Sequence, residues 1–235
     1  MRLGIKRNVR RSFHNVRRSL FEFAGNPKYS RPGLNDLDAK LAPYLTKKDG
    51  FFIEAGANDG FTQSNTYYLA KFSGWRGILI EGIPKLYAMA QRRRRESRVF
   101  NCALVPFEEE GKEIEMIYGN LMSLVVGAMG SDKADQNHIR QAQQFDRSSG
   151  SYRIKIIGRT LSSILDECEV SQIDLLSLDV EGFEAPVLRG VDFQRHRPEY
   201  ICVEARHRSD VDTVLRPYYS MVEQLTEMDV LYRAK

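Results

Sequence analysis

The chain has 235 residues, 42% of them hydrophobic and 28% charged, and carries a formal net charge of +4. That length suits one α/β domain with a terminal extension, and no run approaches the roughly 20 apolar residues of a membrane span. The charge is lopsided: Arg2, Lys6, Arg7, Arg10, Arg11, Arg17 and Arg18 occur in the first twenty residues without an acid, and the rest is mildly acidic. General affinity for nucleic acid would therefore have to come from the tail.

The N-terminus has charge but no apolar core, so a secretory signal is not expected. Cys102, Cys168 and Cys202 lack CxxC spacing, which points to reduced thiols and a cytoplasmic setting. Residues 1–35 read as a basic arm or helix outside the main domain, which spans 36–235. Within this arm Leu3, Ile5, Val9, Phe13, Val16 and Leu20 recur at helical spacing. Such a segment suits a membrane surface, an acidic partner, the domain itself or a second subunit in a homo-oligomer.

Beyond the breaks at Asn26-Pro27 and Arg31-Pro32-Gly33, a helix carrying Leu37, Leu41, Tyr44 and Leu45 on one face is expected. Strands are then expected at 51–54, 77–81, 98–104, 113–118, 152–157, 174–179 and 199–204. Helices fall between them at 62–72, 84–96, 160–168, 184–190 and 209–217. This alternation predicts a parallel sheet covered on both faces. Two strand-like runs around Glu227-Met228-Asp229 predict a terminal antiparallel hairpin within 219–232. Residues 119–151, rich in Gly and Ser, read as a long irregular excursion over the substrate side. Arg92 to Arg95 read as the solvated end of a helix, and His138 and His196 as surface residues.

Three acidic strand ends carry the chemistry. Phe51-Phe52-Ile53-Glu54-Ala55-Gly56-Ala57-Asn58-Asp59-Gly60 is an apolar strand that turns sharply through glycines. Ligands of open α/β sheets bind at such carboxyl ends. Ile78-Leu79-Ile80-Glu81 is the second, and an acid there can accept both hydroxyls of a ribose. Leu175 to Gly182, LLSLDVEG, is the third and brings Asp179 and Glu181. The order G-x-G-x-x-G is absent, and the acidic loop suits a cationic adenosine ligand better than a diphosphate. S-adenosyl-L-methionine is such a ligand.

With these motifs the chain resembles the FkbM family of S-adenosylmethionine-dependent methyltransferases from about Phe51 to about Arg233. IEAGANDGFTQSNT (53–66), GWRGILIEGIPKLY (74–87), NCALV (101–105), RTLSSIL (159–165) and DLLSLDVEGFEAPVLRG (174–190) carry the likeness. Gly82 stands where many relatives have proline, and Pro186 where a helix former is usual. The resemblance implies a Rossmann-like class I methyltransferase fold: a seven-stranded, mostly parallel sheet ending in antiparallel strands. It implies that Glu54, Gly56, Asn58 and Gly60 hold the amino-acid end and sulfonium of the cofactor, followed by Ser64, Asn65 and Thr66 at a helix start. Glu81 would bind the ribose, Asn101, Cys102 and Ala103 would border the adenine, and Asp179 would face the methionine end.

The family's acceptors are chiefly hydroxyls of sugars and of sugar- or polyketide-derived products, so a sugar or glycan is the expected substrate and glycan-assembly enzymes the expected company. A sugar hydroxyl has a high pKa and needs a base or a metal. Asp179, His207, Glu204 and Glu181 are the base candidates, with Asp179 and His207 foremost and Glu181 suited to fixing the loop. Asp179 and Glu204 are also the candidate ligands of a divalent metal such as Mg²⁺. Tyr118, Met122, Arg140, Phe145, Arg147 and Arg153 are candidate acceptor contacts. Two other readings stay open: a non-catalytic binding scaffold on the same fold, and an RNA methyltransferase using the basic arm, although no specific nucleic-acid motif is present.

Overall fold

The computed structural model describes residues 14, 16–145 and 150–235. Most of the basic arm, with Arg2 to Arg11, lies outside the described residues, as do Arg147 and the side chain of Phe145. Among the described residues no helix is long and apolar enough to cross a membrane.

Seven strands form the main sheet: β1 (Phe51–Ala55), β2 (Arg76–Ile80), β3 (Arg98–Phe100), β8 (Leu175–Leu178), β9 (Tyr200–Glu204), β10 (Tyr219–Gln224) and β11 (Asp229–Ala234). Their order is β3-β2-β1-β8-β9-β11-β10. The first five are parallel, and β11 runs antiparallel to both β9 and β10. This is the expected class I methyltransferase sheet with its terminal hairpin. The order reverses between β1 and β8, so their carboxyl ends open a crevice there.

Apolar residues alternate between the two faces of the sheet. Ile53, Ile78, Leu176, Ile201 and Val203 pack on α6 (Leu161–Glu167), α7 (Glu184–Arg189) and α8 (Arg208–Leu215). Phe52, Leu79, Leu175 and Leu231 meet Trp75 and helices α2 (Leu37–Leu41), α3 (Tyr67–Phe72) and α4 (Pro84–Arg93). Each such fully buried aliphatic side chain stabilises by about 1.5–3 kcal/mol. Pro186 lies in the first turn of α7, where a missing N–H costs nothing.

Three expectations change. The run 98–104 is two strands, because the chain leaves the main sheet at Asn101 and continues as β4 (Ala103–Leu104) in another. The runs 113–118 and 152–157 do not join the parallel sheet. They form β5 (Glu113–Tyr118) and β7 (Tyr152–Arg159) of a separate four-stranded sheet, β4-β7-β5-β6, with β6 at Leu124–Val125. One face of β5 and β7 is solvated and carries the pairs Glu113–Lys155 and Glu115–Arg153, as an antiparallel sheet permits. The excursion 119–151 is not irregular either: it holds β6 and a 14-residue helix, α5 (Asp132–Phe145).

The arm's described part packs on the domain. Residues 16–23 form a helix, α1. Arg18 lies 3.6 Å from the Phe61 ring centroid, Tyr67 donates its hydroxyl to Glu22 at 2.9 Å, and Gly33 bridges Gln63.

Candidate active site

A cleft opens at the carboxyl ends of β1, β2 and β8. Glu54, Gly56, Asn58, Ser64, Asn65 and Glu81 line one side, joined by Cys102, Ala103, Asp179 and Glu181. Gly60, Thr66, Asn101, Glu204 and His207 are not among its lining residues.

The loop after β1 is tied down from below. Glu54 is buried and both its oxygens are occupied. Oε1 accepts the Asn65 amide at 2.8 Å, and Oε2 accepts the hydroxyls of Ser64 at 2.9 Å and Thr66 at 2.7 Å. Arg94 supplies the countercharge, 3.5 Å from Glu54 Oε2, and also donates to Thr66 Oγ1 at 3.1 Å. Arg94 is fully buried, so the reading of Arg92 to Arg95 as one solvated run is corrected: the chain leaving α4 turns this member inward beneath the loop. Ser64 Oγ accepts the Tyr67 amide at 3.1 Å. The helix therefore starts at Tyr67 and not at residue 62, because the side chains before it bond to Glu54. Ser64 and Thr66 support the loop as well as the helix start.

Gly56 has φ of 81°, and a Cβ there would lie 1.8 Å from the Asp179 carbonyl oxygen. Glycine is what lets the ends of β1 and β8 close on each other. Gly60, at φ 77°, instead clears Ala90 of α4 and Arg94 just past its end. Asp59 would be raised by burial, but the amides of Thr62 and Phe61 and the guanidinium of Arg93 outweigh this and hold its carboxyl below the usual range.

Glu81 ends β2 inside the cleft. Its Oε2 accepts the Asn58 amide at 2.7 Å and Oε1 the Ile83 amide at 2.8 Å. Burial raises its carboxyl to about 7 against the pull of those two amides. Each oxygen keeps lone-pair capacity for a diol. Asn101 Nδ2 donates to the carbonyls of Glu81 and Gly82 at 2.7 and 3.0 Å, so it shapes the turn from outside the cleft. A Cβ at Gly82 would meet Met116 Sδ at 2.5 Å. The residue that replaces the relatives' proline thus makes room for β5 at the cleft. Burial pushes the Cys102 thiol up to about 12, leaving it a neutral wall.

At the other end Asp179, Glu181 and Glu204 bring carboxylate oxygens within 4.8 Å of one another. Asp179 is solvent-exposed at the cleft; the density of protein around it raises its carboxyl above the usual range, and Glu204, Glu181, Glu184 and Asp229 push the same way. Burial and Glu181 also raise Glu204, while Arg206 and a hydrogen bond from Asp179 pull it down. Arg206 lies 2.8 Å from Glu181 and 3.0 Å from Glu204. Burial opposes its charge, but Glu181, Glu204 and Asp179 prevail and keep it cationic. Three carboxylates are a chemically suitable cation site, but two of them already have this guanidinium as counter-ion.

Glu181 adopts φ of 55° and reaches His138 of α5, whose Nε2 lies 3.0 Å from its Oε2. The two meet at ion-pair distance without hydrogen-bond alignment. His138 and His196 are buried rather than superficial; His196 contacts Asp166 at 3.0 Å. His207 is corrected in the opposite sense: it is exposed at the N-terminus of α8, outside the cleft. The sequence reading missed Asn120, Leu121, Ser123 and Phe183, which complete the cleft wall. Tyr118 is instead buried and stacked on Tyr152, and Arg140 and Arg153 line a separate hollow. Met122 is not among the lining residues.

The family model described as the methyltransferase FkbM domain matches residues 54–231. The chain belongs to the FkbM methyltransferase family. No curated protein matches it. Among solved structures, it resembles a TehB-like SAM-dependent methyltransferase from Corynebacterium glutamicum, at 12% identity and TM-score 0.44 over 97% of this chain and all of that one. A methyltransferase from Geobacter sulfurreducens matches at 12% identity and TM-score 0.44, covering 94% of this chain and 87% of that chain. Aeropyrum pernix fibrillarin, in complex with natively bound S-adenosyl-L-methionine, matches at 12% identity and TM-score 0.41 over 84% of this chain and 73% of that one.

The family is one of methyltransferases, and the residues of the cleft fit S-adenosyl-L-methionine. The buried Oδ1 of Asn65 lines the cleft with no partner among the described residues. An ammonium group would satisfy it, while Glu81 offers acceptor oxygens to a diol.

Proposed function

We propose that this protein methylates a hydroxyl oxygen of a sugar, a glycan or a glycosylated natural product. The observation that carries the reading is the cluster of Asp179, Glu181 and Glu204 beside the cofactor loop, whose carboxylate oxygens lie within 4.8 Å of one another. A carboxylate with a raised pKa is a stronger base, which a poorly acidic hydroxyl needs. The polar cleft wall of Gln63, Asn120 and Ser123 suits an acceptor with several hydroxyls.

Bound S-adenosylmethionine would supply an electrophilic methyl group on its sulfonium. Asn58, Asn65 and Glu81 would hold it, with the Gly56 turn allowing close backbone approach. Asp179, in its ionised form, takes the hydroxyl proton as the acceptor oxygen forms its new bond to carbon. Arg206, paired with Glu181 and Glu204, offsets the negative charge gathered around Asp179. Much of the rate enhancement in such a displacement comes from holding the two reactants in line.

The test is a methyl-transfer screen against free sugars and short oligosaccharides, with mass spectrometry locating the added methyl. Methylation of a sugar oxygen is the expected result. Cofactor binding by calorimetry together with methylation only of amines or carboxylates would overturn the acceptor assignment. No cofactor binding at all would favour a non-catalytic scaffold.

A further inference from the structure

Helix α1 is mounted on the domain by its polar side. Arg18 stacks on Phe61 at 3.6 Å and pairs with Glu22 at 3.4 Å. Glu22 in turn accepts the hydroxyls of Tyr67 at 2.9 Å and Ser30 at 2.8 Å. Three apolar residues of the same helix face away from the protein, Val16 at 57% exposed, Leu20 at 64% and Phe23 at 94%, while Phe21 packs edge-on against Tyr29. A helix packed on a globular domain ordinarily turns its apolar stripe inward. Here three of the four apolar residues between 16 and 23 point outward. Single exposed apolar side chains are ordinary, but these three follow one another at helical spacing on one outward stripe.

The sequence extends the pattern. Val9 and Phe13 precede Val16 at the same alternating spacing of four and three. Seven basic residues accompany the stripe before the first acid, Glu22. An apolar stripe flanked by cations is the composition of a helix that lies in the interface of an anionic membrane. A second copy would bring seven like charges against seven, which opposes pairing through this face.

We propose that α1, with the basic segment before it, seats the protein on an anionic lipid surface, with Val16, Leu20 and Phe23 entering the interface. The same helix is fastened to Phe61, next to the cleft-lining Thr62. Docking would therefore fix the cofactor loop at a set distance from the lipid.

The test is co-sedimentation of the full chain with vesicles of phosphatidylcholine and phosphatidylglycerol in equal parts, and with phosphatidylcholine alone. The protein is expected to sediment with the anionic vesicles and remain in solution with the neutral ones. A Leu20→Ser/Phe23→Ser double variant should bind anionic vesicles at least about tenfold less. Its calorimetric affinity for S-adenosylmethionine should stay unchanged, which shows that the domain is folded. Wild-type protein that ignores anionic vesicles, or a double variant that binds them equally well, overturns the proposal. Retention on poly-glutamate beads without vesicle binding also overturns it, in favour of an acidic protein partner.

Discussion

Arg94 and Glu54 meet at 3.5 Å, both buried, directly beneath the loop that carries the cofactor-binding turn. The guanidinium also reaches Ser64 and Thr66, so one cation organises side chains from two elements. Removing it leaves a buried carboxylate without its countercharge. Arg94→Met should destabilise the fold by about 3 kcal/mol or more and weaken cofactor affinity. Arg94→Lys should recover only part of either, because a single ammonium cannot span the same acceptors. Urea denaturation and calorimetry read the two effects.

Gly56→Ala places a methyl group against a backbone carbonyl, where no side chain can yield. Stability should fall by more than about 2 kcal/mol, with cofactor binding lost. Gly82→Ala meets a flexible methionine instead, and its cost should be smaller. Equal thermal midpoints for the two variants would contradict this account of the β1–β8 approach.

Asp179→Asn should lower kcat by about 100-fold or more while leaving the cofactor dissociation constant within about threefold of wild type. Because the carboxyl values of Asp179 and Glu204 are raised, wild-type turnover should climb as pH rises through that raised range. Full chelation should leave turnover intact, since Arg206 already neutralises Glu181 and Glu204. Turnover abolished by chelator and restored by Mg²⁺ would reinstate a metal at this cluster.

His138→Ala removes the contact from α5 to Glu181. Cofactor affinity should hold, whereas KM for the acceptor should rise, because the excursion then loses its anchor beside Asp179. His138→Gln should recover part of the loss. A kinetic comparison of both variants separates this from general destabilisation.

Buried Glu81 and Glu184 each have a folded-state value of about 7 against an ordinary 4.5, burial being the main cause. Between those values the folded chain binds more protons than the unfolded one. Their stabilising contribution is full below the ordinary value and is lost as pH rises through the folded one. Glu184 Oε1 accepts the amides of Val180 and Gly182, so Glu184→Gln keeps the acceptor without the charge. The gap in thermal midpoint between about pH 5.5 and about pH 8 should shrink by at least about 2 °C.

The cleft's main walls were legible because each is local. An apolar run, an acid and a glycine turn adjoin in sequence at Glu54, Glu81 and Asp179, and the parallel sheet aligns such ends automatically. The excursion was not legible for an equally physical reason. Helix α5 buries Asp135 and His138 alongside Ile139 and Ala142, so half of that inward set is polar and hydrophobic periodicity cannot register it. The runs at β5 and β7 read correctly as strands, but whether a strand joins one sheet or another depends on partners distant in sequence.

The sequence by itself determined the class of fold, the family and the acids at the strand ends, since short-range patterning encodes all of these. Only the tertiary structure decided which charges face one another. Arg94 is a buried counter-ion and not a solvated one, His138 lies inside and His207 outside, and α1 turns its apolar stripe to solvent. Those outcomes depend on contacts between segments far apart in the chain, where the free energy of burying or pairing a charge is set by neighbours that no local pattern names.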